Sequence, residues 1–350
     1  DLKYVSGTEL DAMDGAQLGQ VAAETTVFGR ITPQQKERLV EALRGLGHYV
    51  AMIGDGVNDV LSLKKANMGI AMQSGSAATR AVADMILLED SFGALPPAFT
   101  EGQRIVNGMS DILRLFLTRV FYVALLILAV SIIGLGFPFV PKHVSLLVLL
   151  TVGIPTLGLA VWARPGASAR RNLITEVLHF VIPAGIAVFF FGLLIYVGAF
   201  ILSAFGSADV PVTAQEIADF QRYTGITYDI SASETYRLEV AQLVAQTALT
   251  VFSLFTGLLL VIFAEPPHPF FVGGDRLSGD RRPTLMAGAM LLVYIMITAV
   301  EPLRRFFELL PLPLWAYATI AGVTVVWFFV LRRAWRKQWL QRFLEVELPH

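Results

Sequence analysis

The sequence predicts an α/β domain with a parallel sheet, followed by an α-helical membrane bundle of six helices. Of the 350 residues, 55% are hydrophobic and only 16% are charged, a composition too apolar for a soluble protein of this length. The apolar residues are concentrated beyond about residue 110, whereas the first third alternates strand-like and helix-like patterns. We therefore expect a partial α/β domain in water and a larger part of the chain in lipid.

Short apolar strands alternate with helices in the first hundred residues. Thr32 and Pro33 form a good helix start, because an N-cap residue is followed by proline at the first helical position, and Gly47 is placed to end that helix. This alternation predicts a parallel, doubly wound sheet, in which ligands bind at the carboxyl ends of the strands. The predicted strands are 26–30, 48–53, 68–72 and 85–88, and the predicted helices are 34–46, 58–66 and 76–83.

Six long stretches without charges follow. A membrane-spanning helix needs about 20 apolar residues, and each stretch comes close to that length or exceeds it. Buried helices of a soluble protein usually keep a polar stripe, which these stretches hardly show. The predicted spans are 120–140, 144–163, 177–208, 240–264, 283–300 and 309–331.

Arginine and lysine are unevenly distributed among the loops between these spans. They dominate the second loop, the fourth loop and the segment after the last span, whereas acidic residues dominate the third loop. By the positive-inside rule, the first domain and the C-terminus are predicted to be cytoplasmic, in a multi-pass protein of a bacterial plasma membrane. The net charge of -1 argues against a nucleic-acid partner.

A glycine-rich turn, Gly54-Asp-Gly-Val-Asn-Asp59, follows the predicted strand 48–53. Asp55 and Asp59 supply the hard oxygen ligands that magnesium prefers, and Asn58 supplies an amide donor for a phosphoryl oxygen. Gly54 and Gly56 let the backbone approach closely, and Lys36 would add a cation. Taken alone, such a turn is better explained as a structural turn with capping side chains, and Lys36 as a solvated helix lysine.

Three motifs together resemble the second half of the phosphorylation domain of P-type ATPases, which are haloacid-dehalogenase-like cation pumps. They are Ile31-Thr-Pro-Gln-Gln-Lys36, Gly54-Asp-Gly-Val-Asn-Asp59 and Leu63-Lys-Lys-Ala-Asn-Met-Gly-Ile-Ala-Met72. The resemblance continues through Ala83-Asp-Met-Ile-Leu-Leu-Glu-Asp90 and Glu101-Gly-Gln-Arg104, and the six spans are similar to membrane helices five to ten of that family. Order and spacing, rather than any one motif, carry the resemblance.

The resemblance implies a role for each residue of the turn. Asp55 would coordinate a catalytic Mg²⁺ and Asp59 would support that metal site. Asn58 would bond the phosphoryl group, Lys36 would offset its charge, and Gly54 and Gly56 would admit the phosphate. The implied cofactors are Mg²⁺ and ATP, with the nucleotide-binding domain outside this chain.

The resemblance also implies a domain division and a missing partner. Residues 1–100 would be the C-terminal part of the phosphorylation domain, 101–119 a stalk, 120–331 the membrane helices and 332–350 a basic cytoplasmic tail. The nucleophile loop of the family, Asp-Lys-Thr-Gly-Thr, is not in this sequence. We therefore expect the chain to be a C-terminal fragment that is inactive without the N-terminal part of the polypeptide.

The second span contains a candidate transport path at Thr151, Pro155 and Thr156. Many cation pumps of the family have an acidic residue where Val152 stands, so the path would rely on carbonyl oxygens freed by Pro155, unless that proline is a tolerated kink. Gln242 and Gln246 in the fourth span are further candidates, although hydrogen bonding between helices is the favoured explanation for them. Arg119 is predicted to extend its side chain toward the cytoplasmic interface.

The resemblance thus implies ATP-driven transport of a cation through an aspartyl-phosphate intermediate, with calcium as the candidate cation. The expected partners are the cation and the lipid bilayer. A lipid-flipping pump of the same family stays open, because such pumps also lack carboxylates in their spans. A membrane-anchored phosphatase would share the turn but would not need six spans, and a secondary transporter would not need the residues of the turn.

Overall fold

The computed structural model describes residues 3–166, 173–206, 233–272 and 277–337, together with 215, 218 and 220–222. The chain divides into two compact units, Asp1–Thr100 and Glu101–His350. Parallel strands with helices form the first unit and apolar helices the second, so the predicted fold class is confirmed.

The first unit alternates short strands and helices. In chain order its elements are β1 (Tyr4–Ser6), α1 (Gly7–Asp11), α2 (Gly15–Glu24), β2 (Val27–Gly29), α3 (Pro33–Gly45), β3 (Ala51–Gly54), a 3₁₀ turn (Val57–Asp59), α4 (Val60–Lys65), β4 (Met68–Met72), α5 (Ala77–Val82) and β5 (Met85–Leu87), followed by two 3₁₀ turns (Leu88–Asp90 and Phe92–Ala94).

Hydrogen bonds join the five strands into two separate parallel sheets. β1 pairs with β2, and β4 lies between β3 and β5. The prediction of one sheet was therefore wrong between β2 and β3, because no described strand pairs with both. β3 is an edge strand, because among the described strands it pairs only with β4. Its carboxyl end, at Gly54, leads directly into the glycine-rich turn.

The predicted start of α3 is confirmed. Thr32 is the N-cap, its side chain accepts a hydrogen bond from the Gln35 backbone N–H, and Pro33 is the first helical residue. The prediction missed β1, α1 and α2. A signal was present, because Asp14 and Gln17 form a second capping box at the start of α2.

The second unit is made of long helices. They are α6 (Leu95–Ile133), α7 (Pro141–Leu147), a π-helical turn (Val148–Gly153), α8 (Ile154–Trp162), α9 (Leu173–Phe205), α10 (Ser233–Ala264), α11 (Arg282–Ala299), α12 (Glu301–Phe306) and α13 (Leu314–Arg336), with a 3₁₀ turn at Pro269–Phe271. Within the described residues, six helical segments are long and apolar enough to cross a membrane, with α7, the π-helical turn and α8 forming one of them.

Two predicted spans end or begin in the wrong place. The first helix stops at Ile133 rather than at residue 140, because Gly134 adopts a positive φ of 79°. The last begins at Leu314 rather than at residue 309, since Pro311 and Pro313 keep the preceding segment extended. The predicted third span reached residue 208, and 207–208 lie outside the described residues, as does 338–350 of the predicted tail.

α10 lies at the centre of the second unit. Its most apolar stretch is 78% buried, against 22–33% for the other five spans. Small residues allow this burial: a side chain at Gly257 would meet Thr151, and one at Gly192 would meet Leu249 of α10. Close approach through small residues is how membrane helices pack in the absence of a hydrophobic driving force.

The start of α6 is held against the end of α8. The Asn107 side-chain amide donates to the Arg164 carbonyl at 2.8 Å, and Arg104 Nη1 donates to the Val161 carbonyl at 3.3 Å. A side chain at Gly108 would come within 3.1 Å of Ala163. α6 therefore satisfies carbonyls that the end of α8 leaves without partners, and the two helices run antiparallel from this point.

A buried arginine ties α6 to α9. Arg114 bonds to Asp111 at 3.3 Å on its own helix and to Glu176 of α9 at 2.6 Å, and its guanidinium lies 5.7 Å from the centre of the Phe180 ring. Removing one member of such a group would leave charge buried without a partner, so the group favours one arrangement of the two helices.

The Gly-rich loop before α11 is closed by Asp280. Its carboxylate accepts hydrogen bonds from Arg282 on the same loop and forms an ion pair with Arg164 at 3.3 Å. The Arg282 hydrogen bond holds the pKa of the Asp280 carboxyl below its usual range. Residues 273–276 of this loop lie outside the described residues.

Candidate functional site

The turn after β3 is closed by its own residues. The Asp59 backbone N–H donates to the Gly56 carbonyl at 3.0 Å, and the Gly56 N–H donates to the Asp59 carboxylate at 3.3 Å. Asp59 is buried, whereas Asp55 and Asn58 are exposed. The turn thus uses one carboxylate for its own geometry and presents the other, with an amide, to solvent.

Glycine is required at position 54 by the closeness of Asp59. A Cβ at Gly54 would lie 2.5 Å from the Asp59 Cβ, which is closer than two carbon atoms can approach. Any larger residue would push Asp59 out of its position. That Gly54 admits a phosphate stays a prediction, and the group that the structure places against Gly54 is Asp59.

Lys36 lies opposite the buried carboxylate. Its Nζ is 2.6 Å from Asp59 Oδ1, and the side chain, on the first turn of α3, is 32% exposed. The structure thus brings Lys36 and Asp59 together, 23 residues apart in sequence. Because a partly buried ion pair holds both groups in place, Lys36 positions Asp59 and keeps its cation at the edge of the turn.

Two residues that the sequence prediction missed support the turn from α5. The Ser76 backbone N–H donates to the Asp55 carbonyl at 2.8 Å, and the buried Thr79 hydroxyl donates to the Gly56 carbonyl at 2.9 Å. Ser76 is also the N-cap of α5, a signal that is visible in the sequence. These bonds fix the backbone on either side of the exposed Asp55 carboxylate.

Comparison with known proteins agrees with this geometry. Residues 6–67 match the haloacid dehalogenase-like hydrolase family. The chain is 41% identical over 182 residues to the calcium-transporting ATPase CtpE of Mycolicibacterium smegmatis, an alignment that covers 49% of this chain and 23% of that protein. It is 32% identical over 195 residues to the probable cation-transporting ATPase exp7 of Streptococcus pneumoniae, covering 53% of this chain and 25% of that protein.

Besides these similarities, the order of the domains along the chain indicates the family. A haloacid dehalogenase-like segment with the Asp55 turn precedes six membrane-length helices, and ATPases that carry cations match about half of the chain. These findings support a P-type ATPase fragment. The chain is an integral membrane protein, and it spans about a quarter of the length of the curated relatives it matches.

The exposed residues of the turn after β3 fit a magnesium ion. Among the described residues no group of three or more His, Asp or Glu side chains could hold a metal ion. Magnesium does not need one, because it commonly takes one or two carboxylates together with waters and phosphate oxygens. The Asp55 carboxylate, which no other described side chain engages, suits such a ligand, whereas Asp59 is already paired with Lys36.

The second membrane-length segment, Pro141–Trp162, departs locally from α-helical geometry. Val148–Gly153 forms a π-helical turn, and Pro155 has no N–H to donate to the Thr151 carbonyl four residues earlier. The Thr151 hydroxyl donates to the Leu147 carbonyl at 2.7 Å, and the Thr156 hydroxyl donates to the Gly153 carbonyl at 3.1 Å. Carbonyl and hydroxyl oxygens are therefore concentrated in this turn.

The glutamine candidates lie elsewhere. Gln246 donates to the Phe137 carbonyl at 2.6 Å, and Gln242 packs against Gly136 in the same loop between α6 and α7. Thr151 instead contacts α10 at Gly257, about 16 Å along that helix from Gln246. The structure thus separates the predicted path residues into two groups.

Proposed function

We propose that the whole protein is an ATP-driven cation pump that passes through an aspartyl-phosphate intermediate. The observation that carries this proposal is the exposed Asp55 carboxylate, at the end of a parallel strand in a chain that also has six membrane-length helices. Relatives named as calcium- and cation-transporting ATPases support the same activity. The nucleophile and the nucleotide-binding residues would belong to parts of the protein outside these 350 residues.

Each residue of the turn has a proposed role. Asp55 would hold Mg²⁺, which neutralises charge on the phosphoryl group during transfer, and the exposed Asn58 amide would donate to a phosphoryl oxygen. Asp59 would support the metal site by holding the turn closed, with Lys36 as its counter-ion. Gly54 and Gly56 admit the approach of Asp59 and of phosphate.

The proposed domain division follows the predicted boundaries. Residues 1–100 would serve as part of the phosphorylation domain, 101–119 as a stalk, 120–331 as the membrane part and 332–350 as a tail. α6 runs without interruption from Leu95 to Ile133. Such a helix would transmit movement from the site of phosphorylation to the membrane.

The cation path is proposed at the unwound turn of the second span. Oxygen ligands from Thr151, Thr156 and the carbonyls around Pro155 would suit a hard cation such as calcium. Gln242 and Gln246 would contribute only farther along the path, because Gln246 donates to the Phe137 carbonyl and Gln242 packs against Gly136, both in the loop between α6 and α7. The double positive charge of such an ion would still have to be neutralised by acidic ligands from other helices of the whole protein.

Transport in vesicles tests the proposed function. With the whole protein reconstituted, we expect ATP- and Mg²⁺-dependent accumulation of radioactive calcium, together with a phosphoenzyme that hydroxylamine cleaves. ATP hydrolysis that moves a fluorescent phospholipid but no cation would favour a lipid-flipping pump instead. Phosphate release without any transport would favour a phosphatase, and either result would overturn the cation-pump proposal.

The proposed orientation places the first unit and the C-terminus in the cytoplasm, in a bacterial plasma membrane. Because the chain has no cysteine, single cysteines can be labelled cleanly. In intact cells we expect a membrane-impermeant maleimide to label Ser233→Cys, at the first residue of α10, but to label Ser91→Cys, in the first unit, only after permeabilisation. The reverse pattern would contradict this topology.

A further inference from the structure

Arg119 lies within the first membrane helix and is directed deeper into the bundle. Its Nη2 donates to the Val144 carbonyl at 3.1 Å. Arg119 is about 18 Å along α6 from Asn107, whereas Val144 is about 30 Å along the second span from Arg164, the residue that Asn107 contacts. The guanidinium therefore extends away from the Asn107 end, and the prediction that it reaches the near interface was wrong.

One end of this guanidinium is left without a partner. Nη1 is buried and has no hydrogen-bond partner among the residues that the structure describes. A guanidinium is always charged and carries five N–H donors. The single bond to the Val144 carbonyl neutralises no charge, so a cation inside the bundle keeps an unused donor.

None of the carboxylates that the structure describes is placed to neutralise Arg119. The sequence contains no Asp or Glu between Asp111 and Glu176, and the spans that follow are equally free of acids in their interiors. Asp111 and Glu176 both bond to Arg114, which lies more than a helical turn from Arg119. Charged residues inside a membrane pair with one another or with carbonyls, and the Val144 carbonyl supplies no negative charge, so Arg119 still lacks a neutralising partner among the described residues.

We propose that Arg119 Nη1 forms an oxyanion-binding position in the membrane part, one that takes an oxygen of a carboxylate or phosphate. The planar fork of arginine matches the geometry of these groups, and a negative partner offsets the buried charge. The oxygen has three possible sources: inorganic phosphate, a phospholipid headgroup, or an acidic side chain from the rest of the polypeptide. This site is independent of ATP hydrolysis and of the transported cation.

Thermal unfolding distinguishes the sources. The whole protein is purified in a maltoside detergent without phosphate or phospholipid, and its Tm is measured for the wild type, Arg119→Gln and Arg104→Gln. Arg104 is the matched control, because it lies on the same helix and bonds to a carbonyl of the second span but is also paired with Glu101 at 2.9 Å. Inorganic phosphate, phosphatidic acid and a phosphate-free galactolipid are added separately. In a fourth arm, acidic residues of the other membrane segments are changed singly to amides, both in the wild type and in Arg119→Gln.

We expect one source to act through Arg119. Phosphate, or phosphatidic acid but not galactolipid, would raise the Tm of the wild type and of Arg104→Gln by about 2 to 4 °C and leave Arg119→Gln unchanged. For a carboxylate source, one acid-to-amide change would lower the Tm of the wild type but not that of Arg119→Gln. If Arg119→Gln does not fold, Arg119→Lys replaces it, and at least half of the response should be lost. Equal responses in all variants, with no acid dependent on Arg119, would overturn the proposal.

Discussion

Asp55→Ala in the whole protein is expected to abolish phosphoenzyme formation. Asp55 is the exposed carboxylate of the turn, and its backbone is fixed by the bond from Ser76. The substitution removes the proposed Mg²⁺ ligand and changes no side-chain contact among the described residues. The loss should therefore be catalytic, with the fold of the first unit retained.

Incorporation of radioactive phosphate from ATP at several Mg²⁺ concentrations measures this effect. Asn58→Ala should weaken phosphorylation without erasing it, because the loss of one preorganised donor costs about 3 to 4 kcal/mol in comparable sites. Glu41→Ala is the control, since it removes an exposed carboxylate of the same unit that pairs only with Lys65. Normal Mg²⁺-dependent phosphorylation of Asp55→Ala would refute the assignment.

Lys36→Met is expected both to destabilise the first unit and to lower phosphorylation. The change leaves the Asp59 carboxylate buried, with only the Gly56 N–H near it. Breaking a fully buried pair costs about 3 to 5 kcal/mol, and the partial exposure of Lys36 reduces the expected cost to about 2 to 3 kcal/mol. Displacement of Asp59 would also move Asp55 and Asn58, because the same short turn carries all three.

Hydrogen exchange of the turn amides and the phosphoenzyme level measure this effect together. The matched control is Lys65→Met, which breaks a solvent-exposed pair of the same 2.6 Å length with Glu41 and a longer pair of 3.5 Å with Glu37. Such pairs contribute about 0 to 1 kcal/mol. The double variant Lys36→Met with Asp59→Asn should recover part of the lost protection, since no unpaired charge stays buried. The prediction fails if Lys36→Met and Lys65→Met behave alike.

Much of the fold was predictable because its signals are local. Thr32, Pro33 and Gln35 set the start of α3 through bonds within four residues, and the six apolar stretches follow from composition alone. The turn at Asp55 was found because its residues are consecutive in the sequence. The ends of the spans were less predictable, because hydropathy does not detect the positive φ of Gly134.

Composition and short motifs encode the class of the protein, its membrane-length helices and the glycine-rich turn, so these were predictable. Which groups meet could be seen only in three dimensions. The structure pairs Lys36 with Asp59, divides the strands between two sheets, and directs Arg119 toward Val144. Long side chains and strand edges pair with groups that are distant in the sequence. Neither composition nor a local motif encodes such contacts, so they could not be predicted.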